Sequence, residues 1–334
     1  MNKRNHLLNF ATVVAGLMSL VGCGSERKTT EKVSIGIQSS PAMGLVMVAK
    51  EKGFFAKEDL DAELKEFTAG KFALQAFLGG SLDFAVAGEV PVTLATLQGS
   101  RFLILSQVVQ RTVNEVRIVA RRDGQLNDAA SYFKKRKRKL ATSLGGGPEF
   151  FTYVFLKKYG ISGNDVEIIS QQPQDMPAAL ANGSVDAISI FDPFAYIGEK
   201  QLGDKAIVFT APDIYSELYV LTVRQETIDK NPGLADKMIR ALVAAQQYIQ
   251  ANPDDSQSVV AKDTMLQPDV VRGVWQSFVF APALTPLLLD YQTQEAAWAK
   301  ETGNVTTGTA IPDFRKSIYD GPLRKVKPES VSIQ

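Results

Sequence analysis

Twice along the chain, short runs rich in β-branched residues alternate with stretches of helical periodicity. The first series has runs at 33–37, 61–67 and 82–87, with helical patterns near 41–52 and 71–78. The second has runs at 140–144, 166–170 and 185–190, with helical patterns at 148–159 and near 176–181. Parallel strands need a long crossover and a helix usually supplies it, so this rhythm predicts an α/β fold with parallel pairing. The two series also overlay. Gly80-Ser81-Leu82-Asp83 and Gly183-Ser184-Val185-Asp186 each close a helix and open a strand, and Glu89 and Asp192 each follow their glycine by nine residues. Gly and Ser suit any helix-to-strand turn, yet the shared spacing predicts two lobes on one plan. With 334 residues, 45% of them hydrophobic and 22% charged, the chain is long enough for two cores.

The first 23 residues read as an export leader. Lys3 and Arg4 precede a mostly apolar stretch from Leu7 to Leu20, too short to span a bilayer comfortably, and Leu20-Val21-Gly22-Cys23 follows. That tetrad resembles the bacterial lipobox, in which a thiol is acylated and the chain is cut just ahead of it. Residues 1–22 are thus expected to be a signal peptide, Cys23 the lipidated first residue, and 23–32 a polar tether holding a domain at a membrane face. An ordinary signal peptide with an incidental cysteine is the alternative.

Cys23 is the only cysteine, and His6, inside the leader, the only histidine. The mature chain therefore lacks a Cys–His pair, a Ser–His–Asp triad, and His or Cys zinc ligands. Catalysis by Asp, Glu or Lys alone stays open, but a binding role leads, with no metal and no cofactor expected. Losing Lys3 and Arg4 with the leader takes the net charge from +1 to −1, which gives no footing for a nucleic-acid partner.

Pro41, Pro91, Pro148 and Pro193 follow predicted strand ends, where proline suits the first turn of a helix. Loops beyond the carboxyl ends of parallel strands are where small ligands bind, so four of them are expected to line one cleft. Helix starts offer unpaired N–H groups and a partial positive charge, which favours an anionic group. Ser39, Ser40, Thr142 and Ser143 add hydroxyls, and Gly145, Gly146 and Gly147 allow close backbone approach. The glycines lack the Lys-Ser/Thr ending of a nucleotide-binding loop. Glu89, Glu149 and Asp192 sit at the same helix starts and would repel an anion. Either the ligand also carries an amine for a carboxylate to hold, or these acids partner the helix dipoles or pair with Arg101 or Arg111.

Phe150, Phe151, Tyr153, Phe194, Tyr196 and Tyr215 lie at or beside these loops. Phe194 and Tyr215 are the candidates for a cleft wall, with core packing as the alternative. Arg111 can meet an acidic head group or pair with Glu115. The candidate ligand contacts are then the hydroxyls of Ser39, Ser40, Thr142 and Ser143, the backbone at Gly145 and Gly146, and the side chains of Glu89, Arg111, Asp192, Phe194 and Tyr215. Residues 134–139 are all basic, and like charges side by side are expected to stay solvated, either as a plain loop or as a docking patch for anionic lipid or a transporter. Leu234, Met238, Leu242 and Ile249 recur at helical spacing and are expected to pack on the first lobe.

The chain resembles the substrate-binding lipoproteins of nitrate, taurine and aliphatic-sulfonate ABC importers and their thiamine-precursor relatives. The resemblance rests on Pro41-Ala42 through Val48-Ala49-Lys50-Glu51-Lys52-Gly53-Phe54-Phe55, on Gly79-Gly80-Ser81-Leu82-Asp83-Phe84-Ala85 with Gly88-Glu89-Val90-Pro91, and on Leu140-Ala141-Thr142-Ser143-Leu144-Gly145, Leu156-Lys157-Lys158-Tyr159-Gly160 and Asp192-Pro193-Phe194. It implies a type II periplasmic-binding-protein fold with two crossovers, near 110–119 and 209–220. Lobe 1 would comprise 33–112 and 213–334, and lobe 2 113–212. It further implies a non-enzymatic, membrane-anchored monomer facing the periplasm or cell exterior. Such a protein captures a small anion, a sulfonate such as taurine or an alkanesulfonate, or nitrate, between its lobes. It then closes about a hinge and serves an ABC permease and its ATPase. Three alternatives stand beside this: a thiamine-precursor or other pyrimidine or amine ligand, an enzyme of menaquinone-pathway type on the same fold, and a receptor read by a sensor protein.

Overall fold

A computed structural model describes residues 30–111, 116–211 and 213–333; the side chain of Arg111, Glu115 and the whole leader with Cys23 lie outside the described residues. Strands β1 (Glu31–Gln38), β2 (Leu60–Phe67), β3 (Phe84–Gly88) and β4 (Leu103–Arg111) belong to one sheet. Strands β5 (Arg117–Arg121), β6 (Arg138–Thr142), β7 (Val166–Ser170), β8 (Ala187–Ile190) and β9 (Ala206–Phe209) form a second. The chain then returns, and β10 (Leu218–Val223) and β11 (Phe278–Ala283) complete the first.

The orders are β11-β4-β10-β3-β1-β2 and β7-β6-β8-β5-β9. β1 runs parallel to β2 and β3, and β6 to β7 and β8, each pair joined by a helix as the alternating pattern requires. The sheets are nevertheless mixed. β10 is antiparallel to β3 and β4, and β5 to β8 and β9. Each of these strands arrives directly from the other lobe and enters its sheet from the cleft side, where the neighbouring strands end, so it runs against them.

The overlaid spacing corresponds to one repeated set of bonds. The Asp83 amide donates to the Ser34 carbonyl of β1 at 3.1 Å, and the Ser34 amide donates to the Asp83 carboxylate at 2.8 Å. The Asp186 amide donates to the Lys139 carbonyl of β6 at 2.9 Å, and the Lys139 amide donates to the Asp186 carboxylate at 2.9 Å. In both lobes the aspartate fixes the register of the strand it opens against the one before it.

β3 and β10, side by side in the first sheet, are wholly buried, and each large apolar side chain there is worth about 1.5–3 kcal/mol of burial. Helix Pro232–Ala251 buries Leu234, Met238, Leu242 and Ile249 and packs on helix Gly44–Glu51 of the first lobe. Among the described residues no helix is long and apolar enough to cross a membrane.

The basic run departs from expectation. Arg138 is buried, its guanidinium 2.6 Å from Asp123 and lying over the Tyr132 ring at 4.2 Å. Arg136 bonds Asp186 at 2.5 Å. Strand alternation turns Arg138 inward, where an acid and an aromatic face receive it, while Lys137 and Lys139 point out.

Candidate ligand cleft

Between the lobes lies a narrow cavity of about 20 Å3, room for roughly one water molecule. Lobe 1 supplies Gln38 at the end of β1, Gly88 at the end of β3, and Glu217 and Tyr219 at the start of β10. It also supplies Gly70 and Lys71, which begin helix Gly70–Leu78. Lobe 2 supplies Ser143, Gly146 and Gly147 ahead of helix Gly147–Lys158, and Phe191 after β8. With helix Glu89–Leu97, which starts just past Gly88, three helix N-termini face this space, each bringing a partial positive charge.

Two donors add to them. The Gln38 carbonyl oxygen accepts the Gly70 amide at 3.2 Å and the Tyr219 hydroxyl at 3.4 Å, which fixes the amide's orientation. Its Nε2 is buried and meets no hydrogen-bond partner among the described residues. A buried donor left unmade costs about 1–3 kcal/mol, so this atom marks where a ligand acceptor fits. Lys71 reaches across the cleft to Ser143 Oγ at 3.1 Å and the Leu144 carbonyl at 2.6 Å. Burial pulls its ammonium below the ordinary lysine range, partly opposed by the charge of Glu149.

Glu217 is the acidic element. It is 4% exposed, and its Oε2 lies 3.2 Å from the Tyr219 hydroxyl, whose single proton it shares with Gln38 Oε1. A Cβ on Gly88 would sit 2.8 Å from its Oε1, and one on Gly147 closer still, so both glycines are required for the carboxylate to lie between the lobes. The cavity thus gathers donors, a cation and a carboxylate on one small surface, a set suited to holding a small polar solute.

Of the sequence candidates, Ser143 and Gly146 line this cavity. The others lie behind it or beside it. Ser40 Oγ caps the following turn, accepting the Ala42 amide at 3.3 Å, and donates across the cleft to the Asp192 carbonyl at 3.3 Å. The Ser39 amide is bonded to Phe67, and Thr142 Oγ1 donates to the Ser189 carbonyl at 3.0 Å. The Gly145 amide is taken by Glu149 at 2.5 Å, which answers how that carboxylate sits at a helix start. Glu89 is fully buried, accepting the Tyr215 hydroxyl and, at 2.8 Å, the Leu218 amide. Asp192 is buried against Arg117 at 2.8 Å and accepts the Tyr196 amide at 3.0 Å. Tyr215 packs edge-on to Phe150, and Phe194 packs on Phe191, so the aromatic lining comes from Phe191 and Tyr219 instead.

Gln38, Lys71, Glu217 and Tyr219 were not among the candidates. Lys71 carried a legible sign, since it follows the end of the second predicted strand, but that loop has no proline to flag it. Glu217 and Tyr219 enter with the returning strand, and no motif marks them.

The NMT1-like family model matches residues 26–262. The chain belongs to this family. A Bacillus subtilis (strain 168) protein named for binding aliphatic sulfonates is 28% identical over 272 residues, 78% of this chain and 80% of its own. A Haemophilus influenzae (strain ATCC 51907 / DSM 11121 / KW20 / Rd) protein named for thiamine biosynthesis is 23% identical, over 93% of this chain and 99% of its own. The crystal structure of the periplasmic aliphatic sulphonate binding protein SsuA from Escherichia coli superimposes with a TM-score of 0.73 at 21% identity, covering 86% of this chain and 97% of that one. The fold is therefore the two-lobed periplasmic-binding-protein fold.

Proposed function

We propose that this protein captures a small organic sulfonate of the taurine type between its lobes, outside the cytoplasm, and delivers it to an ABC permease and its ATPase. The observation that carries this is the convergence of three helix N-termini, Lys71 and the unpartnered Gln38 Nε2 on one cavity. With the lobes as they stand the space holds about one water molecule, so the solute is admitted only when the lobes part. The sulfonate-named relatives support the head group. Glu217 offers an acceptor on the cavity wall to any donor that the solute carries, such as an amine. Ser143 and Gly146, with Lys71, would hold the acidic head, and Glu217 the amine. The same carboxylate, with the thiamine-named relative, favours an aminopyrimidine as the second reading. Acylation of Cys23 would anchor the protein as a monomer on the membrane face.

Calorimetric titration of the protein with taurine, ethanesulfonate, nitrate and an aminopyrimidine tests the assignment. Taurine is expected to bind most tightly, and Lys71→Met to weaken it about tenfold to a hundredfold, the worth of one charge-assisted hydrogen bond. Saturable binding of the aminopyrimidine alone would transfer the assignment to the second reading, and no binding by any sulfonate would end the first. Cys23→Ser is expected to move the protein from the membrane fraction to the soluble one.

A further inference from the structure

The two lobes share one plan but open it with different charge. The bonds between Ser34 and Asp83 in lobe 1 and between Lys139 and Asp186 in lobe 2 put matching residues in register. Where lobe 1 has Glu31-Lys32-Val33-Ser34, lobe 2 has Arg136-Lys137-Arg138-Lys139. The turn and the strand form either way, so the fold itself does not call for the basic run.

The lobes also differ in how these charges are met. At this end of lobe 1 the charged side chains pair off, Glu31 with Lys237 at 2.5 Å, Glu58 with Arg240 at 2.7 Å and Asp83 with Arg224 at 3.8 Å. In lobe 2 the arginines of the run take the acids: Arg136 holds Asp186 and Arg138 holds Asp123, with Lys135 at 3.7 Å from Asp123. Lys134, Lys137 and Lys139 are exposed, and none of them has an ion-pair partner among the described residues. Exposed Arg122 and Lys205 adjoin them across the sheet. The Arg121 amide donates to the Asp186 carbonyl at 2.9 Å, and the Arg122 amide donates to the Lys205 carbonyl at 2.7 Å. Asp165 and Asp204 stand just before the two edge strands, β7 and β9, at the margins of this surface.

We infer that the amino end of the second sheet is a docking face for an anionic lipid surface. It lies opposite the cleft, since the carboxyl ends of β6 and β8 lead to Ser143 and Phe191 of the cavity wall. With Arg136 and Arg138 engaged, the run presents ammonium groups on flexible stems, and no aromatic or apolar side chain stands among them. Protein interfaces are poor in lysine and rich in aromatic side chains, whereas a fluid layer of phosphate head groups asks only for point charges close by. Each lysine near such a layer is worth about fivefold in partitioning.

Cosedimentation of residues 24–334, which carry both sheets entire, with vesicles of phosphatidylcholine alone or mixed with phosphatidylglycerol tests this without solute or lipid anchor. The net charge of that chain is −1, so an excess on the anionic vesicles has to come from a local face. Partitioning onto the mixed vesicles is expected to exceed that onto neutral ones about tenfold or more at low ionic strength, and to fall as salt is raised. The Lys134→Gln/Lys135→Gln/Lys137→Gln/Lys139→Gln variant should lose most of that excess and keep the unfolding midpoint of the parent. Lys50→Gln/Lys57→Gln/Lys65→Gln/Lys230→Gln removes the same charge from exposed sites on lobe 1 and should keep the excess. No excess on the anionic vesicles, or equal loss in the two variants, overturns the inference.

Discussion

Glu89 and Asp192 stand at matching points of the two lobes, one among acids and the other beside a cation. Burial first, then Glu295 and Glu217, raises the Glu89 carboxyl well above its usual range, against a smaller opposite pull from the Tyr215 hydroxyl. Glu295, buried with Thr93 at 2.6 Å, is itself pushed up to about 8, mainly by burial. Asp192 has Arg117 at 2.8 Å, and Arg117 has Glu199 at 3.7 Å as well. Matching positions thus carry a carboxyl shifted towards its neutral form in one lobe and an ion pair in the other. Each bonds the first residue of a strand, Leu218 of β10 or Arg117 of β5, so what the two positions share is an acceptor and not a charge.

Removing Arg117 should separate the two most. Arg117→Met leaves Asp192 buried without its cation and is expected to cost about 3–5 kcal/mol in urea unfolding. Tyr215→Phe, the counterpart at Glu89, removes one hydrogen bond and should cost about 1 kcal/mol. A pH series sharpens the same point. Because the folded-state pKa of Glu295 lies above its usual 4.5, the folded protein keeps a proton that the unfolded chain gives up, so stability falls as pH rises from about 4.5 to about 8. Glu295→Gln is expected to flatten that fall and to raise the thermal midpoint more at pH 8 than at pH 5. Lys157→Ala, which breaks an exposed pair with Glu301 away from either carboxyl, should leave the midpoint where it was.

The repeated turn was legible because Asp83 and Asp186 act locally: each needs only the strand before it, so spacing along the chain carries the information. The cleft was legible in outline for a similar reason, and Ser143 and Gly146 follow directly from being at the end of a parallel strand. Lys71 was hidden because proline was the chosen marker and β2 ends without one. Glu217 was hidden because its position is set by a strand that pairs with residues some 130 places earlier, and its fit depends on Gly88 and Gly147 being bare. Glu89 and Asp192 were legible as a pair but not in their bonding, since the partners Leu218 and Arg117 belong to strands whose direction the alternating pattern did not reveal. Arg138 shows the limit of reading charge along a chain: six basic residues in a row look solvated until a strand period sorts them by face.

The place of β10 has a consequence for how the chain is made. It lies between β3 and β4, which leave the ribosome more than a hundred residues before it. Until residues 218–223 emerge, the first sheet has a gap at its centre and two bare edges facing one another, whereas the second sheet, drawn entirely from 117–209, can form as one continuous stretch. The later lobe is then the first that can finish, and the N-terminal lobe must wait, unpaired and open to wrong partners, for its own missing strand.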